Sequence, residues 1–268
     1  MPIALSVPFK HLSRDEFHLL DYRFMKETFS VQKEFGRFCN EEIYKNELAH
    51  RCRLAGFDTI TTEVPIRVSY QGFVKVYYID LLLNDGLMVE LKAVQALDGQ
   101  HRKQAINYLL LVGLRYSTLV NLGSPSVQRS FVSTTLAPED RYDYTINDSE
   151  WTSLDGESEH FKTIMMELLA DWGAFLDTTL YQSAATYFLG GEDKVIRNIE
   201  AASEGRILGT QVMHMLNSDV AFTVCASTKG CAGYREHLRR LLALTSLKAI
   251  QMVNLDHHTI TFVTITHS

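Results

Sequence analysis

The sequence predicts an α/β protein made by tandem duplication of one αβββαβ unit, and three observations carry that reading. Apolar spacing switches between helical and strand periods in the order helix, three strands, helix, strand. Positions 72 to 122 align without a gap on positions 205 to 255, with 11 identities in 51, where average composition would give roughly three. The 268 residues are 46% hydrophobic and 22% charged with only 5 Pro, which excludes disorder as the main state and suffices for one large or two ordinary domains.

After a leader reaching about Phe35, the stretch Asn40 to Ala55 places Glu41, Tyr44, Leu48, Cys52 and Ala55 on one helical face, and Gly56 is a natural stop. Strands are expected over Thr61 to Tyr70, Val74 to Leu83 and Leu87 to Val94, separated by Gln71-Gly72 and by Asn84, Asp85, Gly86. A helix over Gln100 to Val112, a strand over Ser117 to Leu122 and a further run over Val127 to Val132 complete the first unit.

The repeat gives the domain plan: 1-138 as the first unit, 139-160 as an acidic, solvated connector, and 161-268 as the second unit. Upstream of the gapless match, Phe35-Gly36, Phe38 and Tyr44 correspond to Trp172-Gly173, Phe175 and Tyr181. The two units are expected to form an intramolecular pseudo-dimer. Net charge is −6, but residues 1 to 135 carry +2 and the remainder −8, so a nucleic-acid partner would have to use a local patch in the first half. Cys39, Cys52, Cys225 and Cys231 show no CxxC spacing, which points to reduced thiols. No apolar run reaches bilayer length and no signal peptide opens the chain, so a cytoplasmic protein without membrane contact is expected.

Chemistry concentrates in the hairpin from Val74 to Val94. If Asn84, Asp85 and Gly86 form a three-residue loop with Gly86 left-handed, Asp80 stands opposite Glu90, close enough for both carboxylates to share a divalent ion. Lys92, two residues on, emerges on the face of Glu90. A two-residue turn would instead send the two acids to opposite faces. Acids that interrupt apolar runs need a partner, although an edge hairpin whose acids merely face water is the plain alternative. Glu41 shares a helical face with Tyr44 and Leu48, or else is simply an acid favoured at a helix N-terminus. Gln104 shares a face with His101 and Tyr108 and suits either a site or a structural hydrogen bond.

Asp80, Glu90-Leu91-Lys92, Gln104 and Tyr108 in this element order resemble the PD-(D/E)XK nuclease superfamily, which has a restriction-endonuclease-like fold. Gly36, Glu41-x-x-Tyr44, Gly56-Phe57, Val64-Pro65, Tyr70-Gln71-Gly72, Ile79-Asp80-Leu81, Glu90-Leu91-Lys92-Ala93, Gln104-x-x-Asn107-Tyr108-Leu109 and Asn121-Leu122-Gly123 resemble the GxxExxY proteins within it, over roughly residues 10 to 132. Phe38 departs from that pattern where the naming glycine would stand.

The resemblance implies that Asp80 and Glu90 bind Mg²⁺ or Mn²⁺. Lys92 would activate the attacking water and stabilise charge on the phosphate, with Glu41 as a further acid and Gln104 orienting the site. The function so implied is metal-dependent hydrolysis of phosphodiester bonds in DNA or RNA. The alternative is a non-catalytic nucleic-acid-binding or scaffold protein that keeps the fold. The second copy carries Met213, Thr223, Cys225, Thr178 and His237 at the places of Asp80, Glu90, Lys92, Glu41 and Gln104, so it is expected to lack the site.

Overall fold

The computed structural model describes residues 3 to 228 and 231 to 267, and its contacts divide the chain into two compact units, Met1–Pro138 and Glu139–Ser268. Unit 1 runs β1 (Ile3–Leu5), α1 (Arg14–Phe35), α2 (Glu41–Leu54), β2 (Ile60–Tyr70), β3 (Phe73–Leu83), β4 (Leu87–Lys92), α3 (Gly99–Val112), β5 (Tyr116–Asn121) and β6 (Gln128–Ser133). The expected αβββαβ order is present, extended by three elements: β1, the sixth strand, and a helix where a leader was expected. That helix, α1, starts from a capping box in which Ser13 and Glu16 satisfy each other's backbone N–H groups. Phe17, Phe24, Met25 and Val31 then recur on one buried face.

The six strands form one sheet in chain order. Strands β4 and β5 are parallel, and the other neighbours are antiparallel. Leu81, Leu83, Leu87, Val89 and Leu91 share a core with the apolar faces of α1 and α2. Glu90 and Lys92 therefore alternate onto the opposite face. Helix α2 is capped by Asn40, whose side chain accepts the Ile43 N–H. Tyr44 is fully buried and donates its hydroxyl proton to the Gly36 carbonyl at 2.7 Å, tying α2 to the end of α1.

The β3–β4 turn keeps the three-residue length, with Leu83 facing Leu87 and Leu81 facing Val89. The left-handed residues, however, are Asn84 and Asp85, both of residue types that tolerate this conformation. Gly86 is required for a different reason than expected: a Cβ there would lie 2.7 Å from Leu12 Cγ and 2.8 Å from the Lys10 carbonyl oxygen. The N-terminal segment crosses the turn at this point, and the Lys10 N–H donates to the Asp85 carbonyl.

Unit 2 contains β7 (Thr145–Glu150), α4 (Gly156–Trp172), α5 (Thr178–Phe188), the short α6 (Glu192–Val195), β8 (Ile196–Ser203), β9 (Arg206–Met215), β10 (Val220–Cys225), α7 (Ala232–Ala243), β11 (Ala249–Asp256) and β12 (Thr259–Thr266). Its sheet order is β7-β12-β11-β10-β9-β8. From α4 onward the elements follow those of unit 1 from α1, with α6 as an addition. Local details follow as well. Both first hairpins turn on two left-handed residues, Gln71-Gly72 and Glu204-Gly205. Tyr181 donates to the Gly173 carbonyl at 2.7 Å, as Tyr44 does to Gly36. The edge strand differs: β1 pairs with β2, whereas β7 runs parallel to β12 at the other end of its sheet.

Residues 139 to 160 are not a solvated connector, and unit 2 does not begin at 161. Arg141 is buried, with its carbonyl accepting the Ala174 N–H and its backbone packed so closely on Gly173 that a Cβ there would meet it at 2.5 Å. Beyond it, β7 pairs with β12, and Gln251 donates to the Thr152 carbonyl. Asp148 and Glu150, the acids of β7, stay exposed because β7 is an edge strand.

Asn121, at the end of β5, closes the loop after β4. It accepts the Val94 and Gly123 N–H groups and donates to the Val94 carbonyl and Gln128. Asn254 makes the same pair of bonds to the N–H and carbonyl of Ser227. Asn121→Ala leaves these groups unpartnered in a fully buried place and is expected to cost roughly 2–4 kcal/mol of unfolding free energy in urea titration. Unchanged stability would show that the loop re-forms without the amide.

Candidate active site

The ladder between β3 and β4 ends at Leu81↔Val89. One residue further the strands diverge, and the Leu91 N–H donates to the Asp80 side chain at 2.8 Å instead of to a strand carbonyl. Asp80 and Glu90, next in the same register, are thus the two acids at the fork. Lys92 lies between them, its Nζ 3.9 Å from Asp80 Oδ2 and 3.7 Å from Glu90 Oε2. Both distances are within ion-pair range but too long for a hydrogen bond, so the lysine offsets charge without filling the acids' acceptor capacity.

Glu90 is 1% exposed, and neither carboxylate oxygen has a hydrogen-bond partner. Burial, followed by the adjacent Asp80 carboxylate, pushes its pKa well above the usual glutamate range, while Lys92 and the nearby Asp80 backbone N–H act in the opposite direction. Glu41, the first residue of α2, is partly buried, and burial also raises its pKa; the charges of Lys92 and Asp80 both act on it. Gln104 gives its amide N–H to the Tyr108 hydroxyl at 2.9 Å, and Tyr108 packs edge-on against Tyr77. Asp80, Glu90 and Lys92 are therefore drawn together, Glu41 lies within their field, and Gln104 is engaged along its own helix.

Two neighbours escaped the sequence reading. Lys45, one turn beyond Glu41 on α2, is 9% exposed and forms an ion pair with Glu63 on β2. The four-residue spacing from Glu41 was the available signal. The corresponding place in unit 2 has no acid pair. Met213 and Thr223 stand where Asp80 and Glu90 stand, Cys225 donates to Asn254, and burial raises the Cys225 thiol pKa to about 12.

Residues 19–132 match the family model of the PD-(D/E)XK nuclease superfamily. No curated protein and no solved structure matches the chain. The match to the nuclease superfamily spans α1 to β6 and includes every residue at the fork. Nucleases of this superfamily generally use divalent metals, and the donor set at the fork fits a hard cation: carboxylate oxygens, two of them without a hydrogen-bond donor. Among the described residues, no group of three or more His, Cys, Asp and Glu side chains is placed to hold a metal. An ion at the fork would therefore take Asp80 and Glu90 as its protein carboxylates and complete its shell with water, as Mg²⁺ commonly does.

The raised pKa of Glu90 makes stability pH-dependent in a defined sense. Its contribution is fully present below the ordinary glutamate pKa of 4.5 and is lost as pH rises through the elevated folded value, because the unfolded state then binds fewer protons than the native state. In chelator, wild-type unfolding free energy is expected to fall across this window with a slope of up to about 1.4 kcal/mol per pH unit from this group. Glu90→Gln should remove that component, and identical pH profiles for the two proteins would contradict the assignment.

Proposed function

We propose that unit 1 is a metal-dependent nuclease that hydrolyses phosphodiester bonds in DNA or RNA. The observation that carries this reading is Glu90, a buried carboxylate neither of whose oxygens makes a well-formed hydrogen bond, placed beside Asp80 and Lys92. Buried polar groups are almost always satisfied, and a folded chain tolerates such an exception where a ligand completes it. Asp80 and Glu90 would hold Mg²⁺ or Mn²⁺, which supplies Lewis acidity toward the phosphate. Lys92 would place its ammonium against the attacking water and the charge that builds on phosphate oxygens. Glu41, with its pKa raised at the helix start, would accept or return a proton at the edge of the site. Gln104 would steady Tyr108.

The second reading, a non-catalytic nucleic-acid-binding or scaffold protein, is favoured by the lack of a three-ligand cluster among the described residues. Thermal melting separates the two. Under the nuclease reading, Mg²⁺ or Mn²⁺ raises the wild-type melting temperature and Asp80→Asn abolishes the rise. An equal metal response in both proteins would remove the metal assignment.

We further infer that unit 2 is a duplicate that has lost the site. The shared element order, the paired tyrosine and asparagine bonds, and the 11 aligned identities support this. Lys92→Ala should therefore lower metal-dependent cleavage by roughly 10²-fold or more while leaving the metal response intact. Cys225→Ser, its counterpart, should leave cleavage unchanged. Cleavage that survives Lys92→Ala would place the activity elsewhere.

A further inference from the structure

Lys45 and Glu63 have no part in the reading above, yet they stand at the same fork. Lysine is rarely buried without a partner, and Lys45, 9% exposed, has the Glu63 carboxylate as its partner. Its charge is felt at Glu41, one turn earlier on α2.

Unit 2 shows independently where this position points. Gln182 follows Tyr181 as Lys45 follows Tyr44, and its side-chain oxygen accepts the Val224 N–H at 3.3 Å. Val224 corresponds to Leu91, whose N–H in unit 1 is held by Asp80. Where Met213 replaces Asp80, the side chain one residue past the helix tyrosine fills the vacated role. This position of the helix therefore projects to the end of the hairpin, where the acids of unit 1 stand.

Glu63 is placed from the other side. The β2–β3 ladder pairs Thr62 with Leu81 and Val64 with Ile79, which leaves Glu63 across from Asp80. Its φ of 52° is a left-handed conformation that a non-glycine residue rarely adopts within a strand. Strained backbone of this kind tends to persist where function requires it. The Glu63 side chain is 48% exposed while that of Lys45 is 11% exposed, so the pair joins a buried ammonium to a carboxylate that solvent reaches.

We propose that Lys45 is a second phosphate-contacting cation of the unit 1 site, and that Glu63 occupies it until a phosphodiester oxygen takes its place. This rests on the nuclease reading. A buried ammonium needs an anionic partner, and a phosphate oxygen that replaces the half-exposed Glu63 carboxylate would keep it paired. With Lys92 at the fork and Lys45 beside it, two cations would flank an anionic backbone that otherwise meets Glu41, Glu63, Asp80 and Glu90.

The test uses the full chain carrying Lys92→Ala, which slows turnover, with Mg²⁺ and fluorescein-labelled mixed-sequence DNA and RNA oligonucleotides, single- and double-stranded, read by anisotropy. Adding Lys45→Met should weaken binding about tenfold and reduce the slope of log affinity against log salt by about one. Lys45→Arg should restore both, and Glu63→Gln should bind at least as tightly as its parent. A thermal melt of each variant identifies any that fail to fold, and Lys45→Arg then carries the comparison. A salt slope unchanged in Lys45→Met would overturn the proposal while leaving the nuclease reading intact. Oligonucleotides bound through Lys45 but never cleaved by the wild type would overturn the nuclease reading alone, and no binding by either chain would overturn both.

Discussion

The backbone N–H of Leu91 sits where β3 and β4 stop pairing, inside a core from which water is excluded. A buried amide must find an acceptor or cost about 1–3 kcal/mol. Asp80 supplies it, and much of the site follows from that bond. It holds one carboxylate oxygen at the fork and fixes the aspartate beside Glu90. The alternation of β4 then brings Lys92 into reach of both acids. Unit 2 meets the same demand with Gln182 from the neighbouring helix, an uncharged solution that leaves no acid at the fork.

Charge at the fork is under-compensated in a way that a purely structural cluster would avoid. Asp21, elsewhere in unit 1, illustrates the satisfied case: its burial lies between those of Glu90 and Asp80, yet it accepts the Thr118 hydroxyl and pairs with Arg129. Glu90 makes no well-formed hydrogen bond and has its lysine beyond hydrogen-bond distance, and burial followed by the Asp80 charge raises its pKa. Burial and the Asp80 carboxylate both disfavour the charged form of Glu90, and a cation held beside it would favour that form.

The alternating strands, the α2 face and the three-residue hairpin could be read from the sequence because each depends on local spacing and turn chemistry. The left-handed residues of that hairpin were misplaced because Gly86 is constrained by Leu12 and Lys10, a long-range contact that no local rule anticipates. Helix α1 carried a legible capping box at Ser13 and Glu16, but its polar outer face resembled a leader. Strand β7 was hidden by its acids: all six residues are exposed, and only pairing with the distant β12 makes them a strand. At the site, Asp80, Glu90 and Lys92 were legible because they interrupt apolar runs, whereas Gln104 offered two roles that spacing could not separate. Lys45 gave almost no signal, since its direction depends on how α2 lies over the sheet.

The contrast between the units shows which constraints belong to the scaffold and which to chemistry. Tyr44 and Tyr181, like Asn121 and Asn254, make the same backbone bonds because each satisfies carbonyl or N–H groups that the fold itself leaves unpaired at a helix junction or a loop. Of Glu41, Asp80, Glu90 and Lys92, Asp80 alone answers such a need, at the Leu91 N–H; unit 2 has the same elements with Thr178, Met213, Thr223 and Cys225 in their places. Of these groups only the acceptor for the amide after the β9–β10 fork has a counterpart in unit 2, and Gln182 supplies it. A fold that stands without the charged set does not explain why unit 1 retains one at the cost of an unsatisfied buried glutamate. Cation binding at the fork, as in the proposed function, would supply that explanation.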